Sequence, residues 1–350
     1  MGPRDELVPD FGGLRVAVAG DLICDHHVVA EPRGLSREAP VMVLRHRSES
    51  VGAGGAANVA RNLRALGATT LCLGALGRDA RGREVIERLE AEGVDTAGVA
   101  THPDWTTPTK TRVLAAEPRR WPQQVLRIDR EPDAPLGPAA RARLAGDVRA
   151  LAGRVDALVL SDYGYGAVGD ELAGAVSELA ATGAVVVLDP RRRVHGFGAL
   201  AGLTPNLGEV AALAGVDALE LDAPARLAEV ARRLRERAGA RHLLVTRGNL
   251  GMALWSEGGS PEGLWVPASG SGNVTDVSGA GDTAAAVFAL ALAAGCEAAR
   301  AMELANAAAG VVVMESGAAT CAREALCAAL PHAAPAGTRA PRSAAGEPSA

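Results

Sequence analysis

Short apolar runs alternate along this chain with stretches whose apolar positions recur every three or four residues. The runs at residues 14–19, 69–73, 157–160, 185–188 and 242–246 read as strands. The stretches at 58–66, 82–92, 169–182, 207–214, 223–238, 281–294 and 298–313 read as helices. Gly67, Gly93, Gly183, Gly239 and Gly295 stand where five of these helices must stop, because glycine takes the left-handed C-terminal position without strain. Strands that are apolar throughout, separated by helices, predict an α/β fold with a mostly parallel sheet covered on both faces. Two segments, 28–46 and 107–129, break the alternation with extended, mixed-polarity runs containing Pro. We expect them to form a small accessory β-sheet, a lid over the main domain. Residues 1–13 read as a flexible start. Residues 331–350, rich in Pro, Ala, Gly and Ser, read as a disordered tail. No internal repeat and no interdomain linker interrupts 14–330.

In an open α/β sheet, ligands bind beyond the carboxyl ends of the strands. The predicted post-strand loops include Gly20-Asp21, Ser161-Asp162-Tyr163-Gly164, Asp189-Pro190-Arg191, Thr204-Pro205-Asn206 and Thr246-Arg247-Gly248. Their shared polarity favours a polar ligand. Composition narrows the options. A net charge of −5 gives no global field for nucleic acid or an anionic membrane, and 3% aromatics are too few for a base-stacking platform. The longest apolar stretch, 283–296, is too short to span a bilayer. The N-terminus lacks the charged-then-apolar pattern of a signal peptide. Five cysteines without paired spacing suggest a reduced, cytoplasmic setting. Of the 36 basic residues, Lys110 is the one lysine. It sits in neither a Gly-Lys-Ser/Thr loop nor a Val-Ala-Ile-Lys strand, so neither of those ATP-binding devices is present.

The strongest constellation is Asp276-Val277-Ser278-Gly279-Ala280-Gly281-Asp282-Thr283, which runs directly into an apolar helix. Small residues let the backbone approach an anion, and the helix start supplies free N–H groups and a positive dipole end. Asp282 in the first turn either complements that dipole or orients and deprotonates a hydroxyl attacking a phosphoryl group. An ordinary Asp pKa of about 3.9 makes a weak base. A loose transition state with late proton removal tolerates one. Gly52-Ala53-Gly54-Gly55-Ala56-Ala57-Asn58 contains the dinucleotide pattern G-x-G-x-x-A, yet follows a polar segment and not the first strand. The alternative is a glycine loop that lets a hydroxylated ligand touch backbone, with Asn58 giving donor and acceptor. Asp21 and Asp25 either clamp sugar hydroxyls or serve a turn. Lys110, beside Arg112, is a candidate phosphate ligand or a solvated side chain. Arg127 and Asp129 alternate on a strand and face either the same site or the lid packing. Asn206 and Glu209 form either a helix cap or a water-mediated Mg²⁺ site. The seven histidines show no metal spacing, and no G-x-S-x-G elbow occurs.

These residues resemble the ribokinase-like (PfkB) sugar kinases. Asp276 to Thr283 resembles the C-terminal signature of that family, Gly54-Gly55-Ala56-Ala57-Asn58-Val59-Ala60 its N-terminal signature, and Asn206-x-x-Glu209 its Mg-associated motif. Within the family, the chain is most similar to kinases of D-glycero-β-D-manno-heptose 7-phosphate. That likeness rests on Ser36-Arg37-Glu38-Ala39-Pro40-Val41, Thr109-Lys110-Thr111-Arg112-Val113, Gln124-Val125-Leu126-Arg127-Ile128-Asp129, Ser161-Asp162-Tyr163, Asp189-Pro190, Leu203-Thr204-Pro205-Asn206 and the run from Asn306 to Val313. Three positions depart: Tyr165 and Arg191 stand where those kinases usually carry Lys, and Arg37 where they carry Pro. The resemblance implies a three-layer α/β sandwich over 14–330 with a small β lid, and lids that pair in a homodimer. It implies phosphoryl transfer from Mg²⁺-ATP to a sugar phosphate, here the anomeric hydroxyl of a heptose 7-phosphate. Asp282 would be the base, with Gly279, Ala280 and Gly281 holding the transferring phosphoryl charge. Asp21, Asp25, Gly54, Gly55 and Asn58 would hold the sugar. Lys110, Arg112, Arg127, Asp162 and Arg191 would complete the acceptor site, and Asn206, Glu209, Thr246, Gly248, Gly251 and Asn306 the nucleotide side. No direct metal ligand is expected; Mg²⁺ would ride on the ATP phosphates, with Glu209 reaching it through water. The remaining alternatives are a kinase for another sugar, sugar phosphate or nucleoside, and a Rossmann-type NAD-dependent oxidoreductase.

Overall fold

The computed structural model describes residues 7–116, 122–194, 196–270, 275–315 and 317–330. The expected tail at 331–350, and residues 117–121 of the second lid segment, lie outside them. The strands are β1 (Arg15–Leu35), β2 (Met42–Gly55), β3 (Thr69–Gly77), β4 (Asp95–His102), β5 (Thr109–Ala115), β6 (Gln123–Arg130), β7 (Ala157–Ser161), β8 (Val185–Asp189), β9 (Leu200–Leu203), β10 (Ala240–Thr246), β11 (Met252–Ser256) and β12 (Leu264–Val266). The helices are α1 (Ala56–Ala65), α2 (Ala80–Ala91), α3 (Pro138–Arg149), α4 (Leu172–Ala181), α5 (Leu207–Ala214), α6 (Pro224–Ala238), α7 (Ala280–Ala293), α8 (Ala298–Val312) and α9 (Arg323–Ala329).

The central sheet runs β12-β11-β10-β9-β8-β7-β1-β3-β4. It is parallel from β10 to β4, and β11 and β12 add an antiparallel edge. Alternation along each strand sends neighbours to opposite faces. Val16, Val18, Val159 and Val187 join a core with α1, α2, α7, α8 and α9. Ala17, Ala19, Leu158, Leu160, Val186 and Leu188 join a second core with α3 to α6. Those two cores separate three layers. Helix α7 is apolar on nearly every side because it lies between the sheet and α1 and α8, and it is buried from Asp282 to Ala291.

β1 serves two sheets. Its first seven residues pair with β3, and Cys24 onward pairs in parallel with β5. From Leu22 it also pairs antiparallel with β2, and β6 closes the lid against β5. The lid order is therefore β2-β1-β5-β6. Residues 7–13 correct the expectation of a loose start, because Val8 and Phe11 are buried in the first core. Two apolar residues are too few to register as an element, but one phenyl ring is enough to anchor the segment. Among the described residues, no helix is long and apolar enough to cross a membrane.

Candidate active site

The cleft lies where the carboxyl ends of β7, β8 and β10 meet the start of α7. Asp162, Asp189, Thr204, Asn206, Thr246 and Asp282 line it, around a volume of about 180 Å³. Asp282 is 4% exposed. Its Oδ2 accepts from Asn58 Nδ2 at 2.9 Å, and its Oδ1 accepts from the Tyr163 hydroxyl at 2.7 Å. Burial lifts its pKa to about 6, against the lowering effect of those two hydrogen bonds. The carboxylate is therefore neither turned to bulk solvent nor locked in an ion pair, and it is a better base near neutral pH than an ordinary aspartate.

The loop before α7 is built to bring this about. Asp276 accepts from the Ser278 and Gly317 amides at 2.9 and 3.0 Å, pinning the loop to the end of α8. Gly279 caps α7 with φ +79°, and a Cβ there would stand 2.5 Å from Asn58 Nδ2. Only glycine meets both the positive φ and that close approach. Gly281 is exposed at the helix mouth, where the first-turn N–H groups have no intrahelical acceptors.

Three sugar-site assignments change. Asp21 does not offer a free carboxylate: its Oδ2 accepts from the Tyr163 and Tyr165 amides at 2.8 and 3.0 Å, and its Oδ1 from Ala167 at 2.9 Å. Asp162 accepts from the amides of Gly164 at 2.8 Å, Arg192 at 2.9 Å and Arg191 at 3.2 Å. Both aspartates are clamps for the 163–167 and 191–192 turns. Asn58 is directed at Asp282, so it orients the base. Asp25 is buried and pairs with Arg112, which commits that guanidinium to neutralising it. Gly54 is required by the same carboxylate, since a Cβ there would lie 2.3 Å from Asp25 Oδ2. Gly54 and Gly55 end a lid strand paired antiparallel to β1 and lead into α1. That is not the first β–α turn of a parallel unit, so the dinucleotide reading of this loop lacks its structural context.

Beside the cleft, under the lid, is a cavity of about 380 Å³ lined by Lys110, Arg127, Glu131, Tyr163, Tyr165 and Arg191, among others. Lys110 Nζ stands 4.8 Å from the centre of the Tyr163 ring. Burial lowers the Lys110 pKa, while the Asp25 charge opposes that shift. Arg127 is held by Asp129 through two hydrogen bonds, and the Tyr165 hydroxyl donates to Glu131 Oε1 at 2.9 Å. Arg191 is half-exposed, 3.7 Å from Glu209 Oε1.

On the remaining side, Asn206 and Glu209 form the helix cap: Asn206 Oδ1 accepts from the Glu209 amide at 3.0 Å, and Glu209 Oε2 from the Asn206 amide at 2.9 Å. Glu209 still presents Oε1 to the cleft, near Asp189, whose pKa burial and the Glu209 charge push well above the ordinary range. Burial raises the Glu209 pKa as well, and a carboxyl so poorly compensated suits an arriving cation. Gly248 and Gly251 form the β10–β11 turn and do not line the cleft around Asp282. Asn306 donates to the Pro267 carbonyl at 2.9 Å and lines a separate cavity of about 350 Å³ with Val266, Pro267 and Ala268. Sequence reasoning missed three cleft residues as site members, Tyr163, Asp189 and Thr204. All lie in post-strand loops whose polarity it had noted.

A sheet-edge cleft with a carboxylate at a helix mouth, roofed by a β lid, defines a phosphotransferase acting on small hydroxylated molecules. Residues 14–325 match the pfkB family carbohydrate kinases, and the chain belongs to that family. The bifunctional protein HldE of Azorhizobium caulinodans is 39% identical over 90% of this chain and 64% of its own length. HldE of Gluconobacter oxydans is 38% identical over 91% and 65%. The chain thus spans under two thirds of these relatives. Among solved structures, phosphofructokinase-2 of Escherichia coli with substrates and products superposes with a TM-score of 0.73 at 19% identity, covering 90% of this chain and 98% of that one. Arabidopsis thaliana ribokinase with ribose and ATP gives 0.68 at 21% identity, covering 89% and 97%. These structures share the fold.

Proposed function

We propose that this carbohydrate kinase transfers the γ-phosphoryl group of ATP to the anomeric hydroxyl of a heptose 7-phosphate. The observation that carries the reading is the arrangement around Asp282. A base held by two neutral donors sits at a helix mouth and adjoins a cavity lined by the one lysine of the chain, Lys110. The acceptor hydroxyl donates its proton to Asp282 as its oxygen attacks. First-turn amides near Gly279, Ala280 and Gly281 take up the charge on the transferring group. Lys110 and Arg191 bind the distal phosphate, and the lid keeps out water, the competing acceptor. Thr246 and Asn206 border the nucleotide, and Asn306 lies toward its far end. The Glu209 carboxyl fits a water-mediated Mg²⁺, which when bound offsets the polyphosphate charge.

The HldE relatives support the heptose acceptor, and Tyr165 and Arg191 favour a second reading in which another sugar phosphate is used. ATP turnover measured against free and phosphorylated heptoses and hexoses decides between them. A heptose 7-phosphate should give the highest kcat/KM, and a hexose phosphate doing so would replace the first reading by the second. The lid exposes Leu35, Val41, Met42, Val125, Leu126 and Ile128. An apolar face of this kind fits pairing with a second lid. Light scattering should give a dimer that Leu126→Glu converts to monomer; a monomeric parent protein would refute it.

A further inference from the structure

We propose that Tyr163 is a positioning residue for phosphoryl transfer, its hydroxyl fixing the Asp282 carboxylate in the orientation that receives the acceptor proton. The reading rests on Asp282 being the base. Its hydroxyl donates to Asp282 Oδ1 at 2.7 Å, while Asn58 holds the other oxygen. A partly buried tyrosine often finds some acceptor, so this bond alone decides little. The support behind it decides more. The turn carrying Tyr163 is held through four backbone amides by two buried carboxylates: Asp21 takes those of Tyr163, Tyr165 and Ala167, and Asp162 takes that of Gly164. Burying Asp21 for this purpose is unfavourable enough to raise its pKa to about 6. A rigid support of that kind holds the hydroxyl oxygen in place, and a catalytic group must be positioned to about 0.5 Å.

The ring also forms a wall of both cavities, and Lys110 lies over its face. Tyr163 thus separates two tasks. Lys110 meets the acceptor phosphate on one side of the ring, and the hydroxyl aims the base on the other. The charged and titratable groups facing Asp282 are Asp25 from β1, Lys110 from β5, Tyr163 itself and Asp189 from the end of β8. Tyr163 is the one among them that donates to it directly.

Tyr163→Phe removes only the hydroxyl. We expect kcat to fall ~10–100-fold with KM for ATP and for the acceptor within about twofold, the signature of an interaction that matters at the transition state. The loss should be the same for phosphorylated and unphosphorylated acceptors, which separates it from a Lys110 variant. The acid limb of the kcat/KM profile should move up, because a donor that favours the ionised carboxylate is gone. Carbon-13 NMR of aspartate carboxyls, with Asp282 identified by its absence in Asp282→Asn, should show the same upward move in protein without substrate. That measurement needs no acceptor, so it stands if the heptose assignment fails. An unchanged kcat, a loss confined to KM, or an unmoved Asp282 titration would each overturn the proposal.

Discussion

The two halves of the cleft are built on opposite principles. Around Asp282 the partners are an amide and a phenol, and the carboxylate is buried. Under the lid the partners are charged, and the two guanidinium groups are half-exposed: Arg127 with Asp129, and Arg191 near Glu209, with the half-buried Lys110 beside them. Neutral donors fix a geometry without cancelling the charge that has to do the chemistry. Salt-bridged, half-wet side chains attract an anion but are loosely placed, and exposed pairs contribute little stability. The base half is thus built for one reaction, and the acceptor half can be retuned. Tyr165 and Arg191, two of the three positions that depart from the heptose kinases, both line the retunable half.

Breaking the base half should have the largest effect. Asp282→Asn is expected to lower kcat at least ~100-fold with little change in ATP affinity, since proton removal is lost and binding is not. Turnover within a few-fold of the parent would remove the base assignment. Breaking the acceptor half should act on binding. Lys110→Ala is expected to raise KM ~10-fold or more for a phosphorylated sugar and about twofold or less for its unphosphorylated form, because a point charge discriminates by the presence of its counter-charge. Equal effects on both acceptors would move the phosphate elsewhere, with Arg191 and Arg192 the next candidates in the cavity wall.

The same contrast explains what could be read in advance. Elements with strong periodicity were legible: α5 falls on 207–214 as expected, and β7, β8 and β10 differ by a residue or two at their ends. Helix α3 was not, because its arginine-rich sequence has little amphipathic pattern until Leu144 and Val148 meet α4. The polar edge strand β4 escaped for the same reason. The apolar run that marks β1 ends at Ala19, yet the strand continues for sixteen residues into the lid, through polar positions that pair with two other strands. Asp282 and its glycines were legible because anion binding at a helix mouth leaves a local signature. The roles of Asp21, Asp162 and Asn58 were not. Each depends on groups far away in sequence: Asp21 and the Tyr163 amide are 142 positions apart. A carboxylate that accepts amides and one that accepts sugar hydroxyls look alike in a one-dimensional pattern.

The smallest effect is also the sharpest measure of how dry the base half is. Burial holds the folded-state pKa of Asp282 at about 6, against 3.8 for an ordinary aspartate. The folded protein therefore binds this proton more tightly than the unfolded chain does. Stability from this group is fully present below pH 4 and is lost as pH rises through 6. A shift of this size corresponds to about 3 kcal/mol, an upper figure for a site that relaxes on ionising. Asp282→Asn cannot ionise and should escape the loss. Its stability relative to the parent should rise between pH 4 and 7, by up to several degrees in Tm at the upper end. The slope is the test, since any fixed gain or loss from the new amide shifts both ends equally. Asp21, likewise raised to about 6, is present in both proteins and cancels. Unfolding curves that run parallel across this range would mean that the Asp282 carboxylate is hydrated, and the distinction between a dry base and a wet acceptor pocket would fail at its first term.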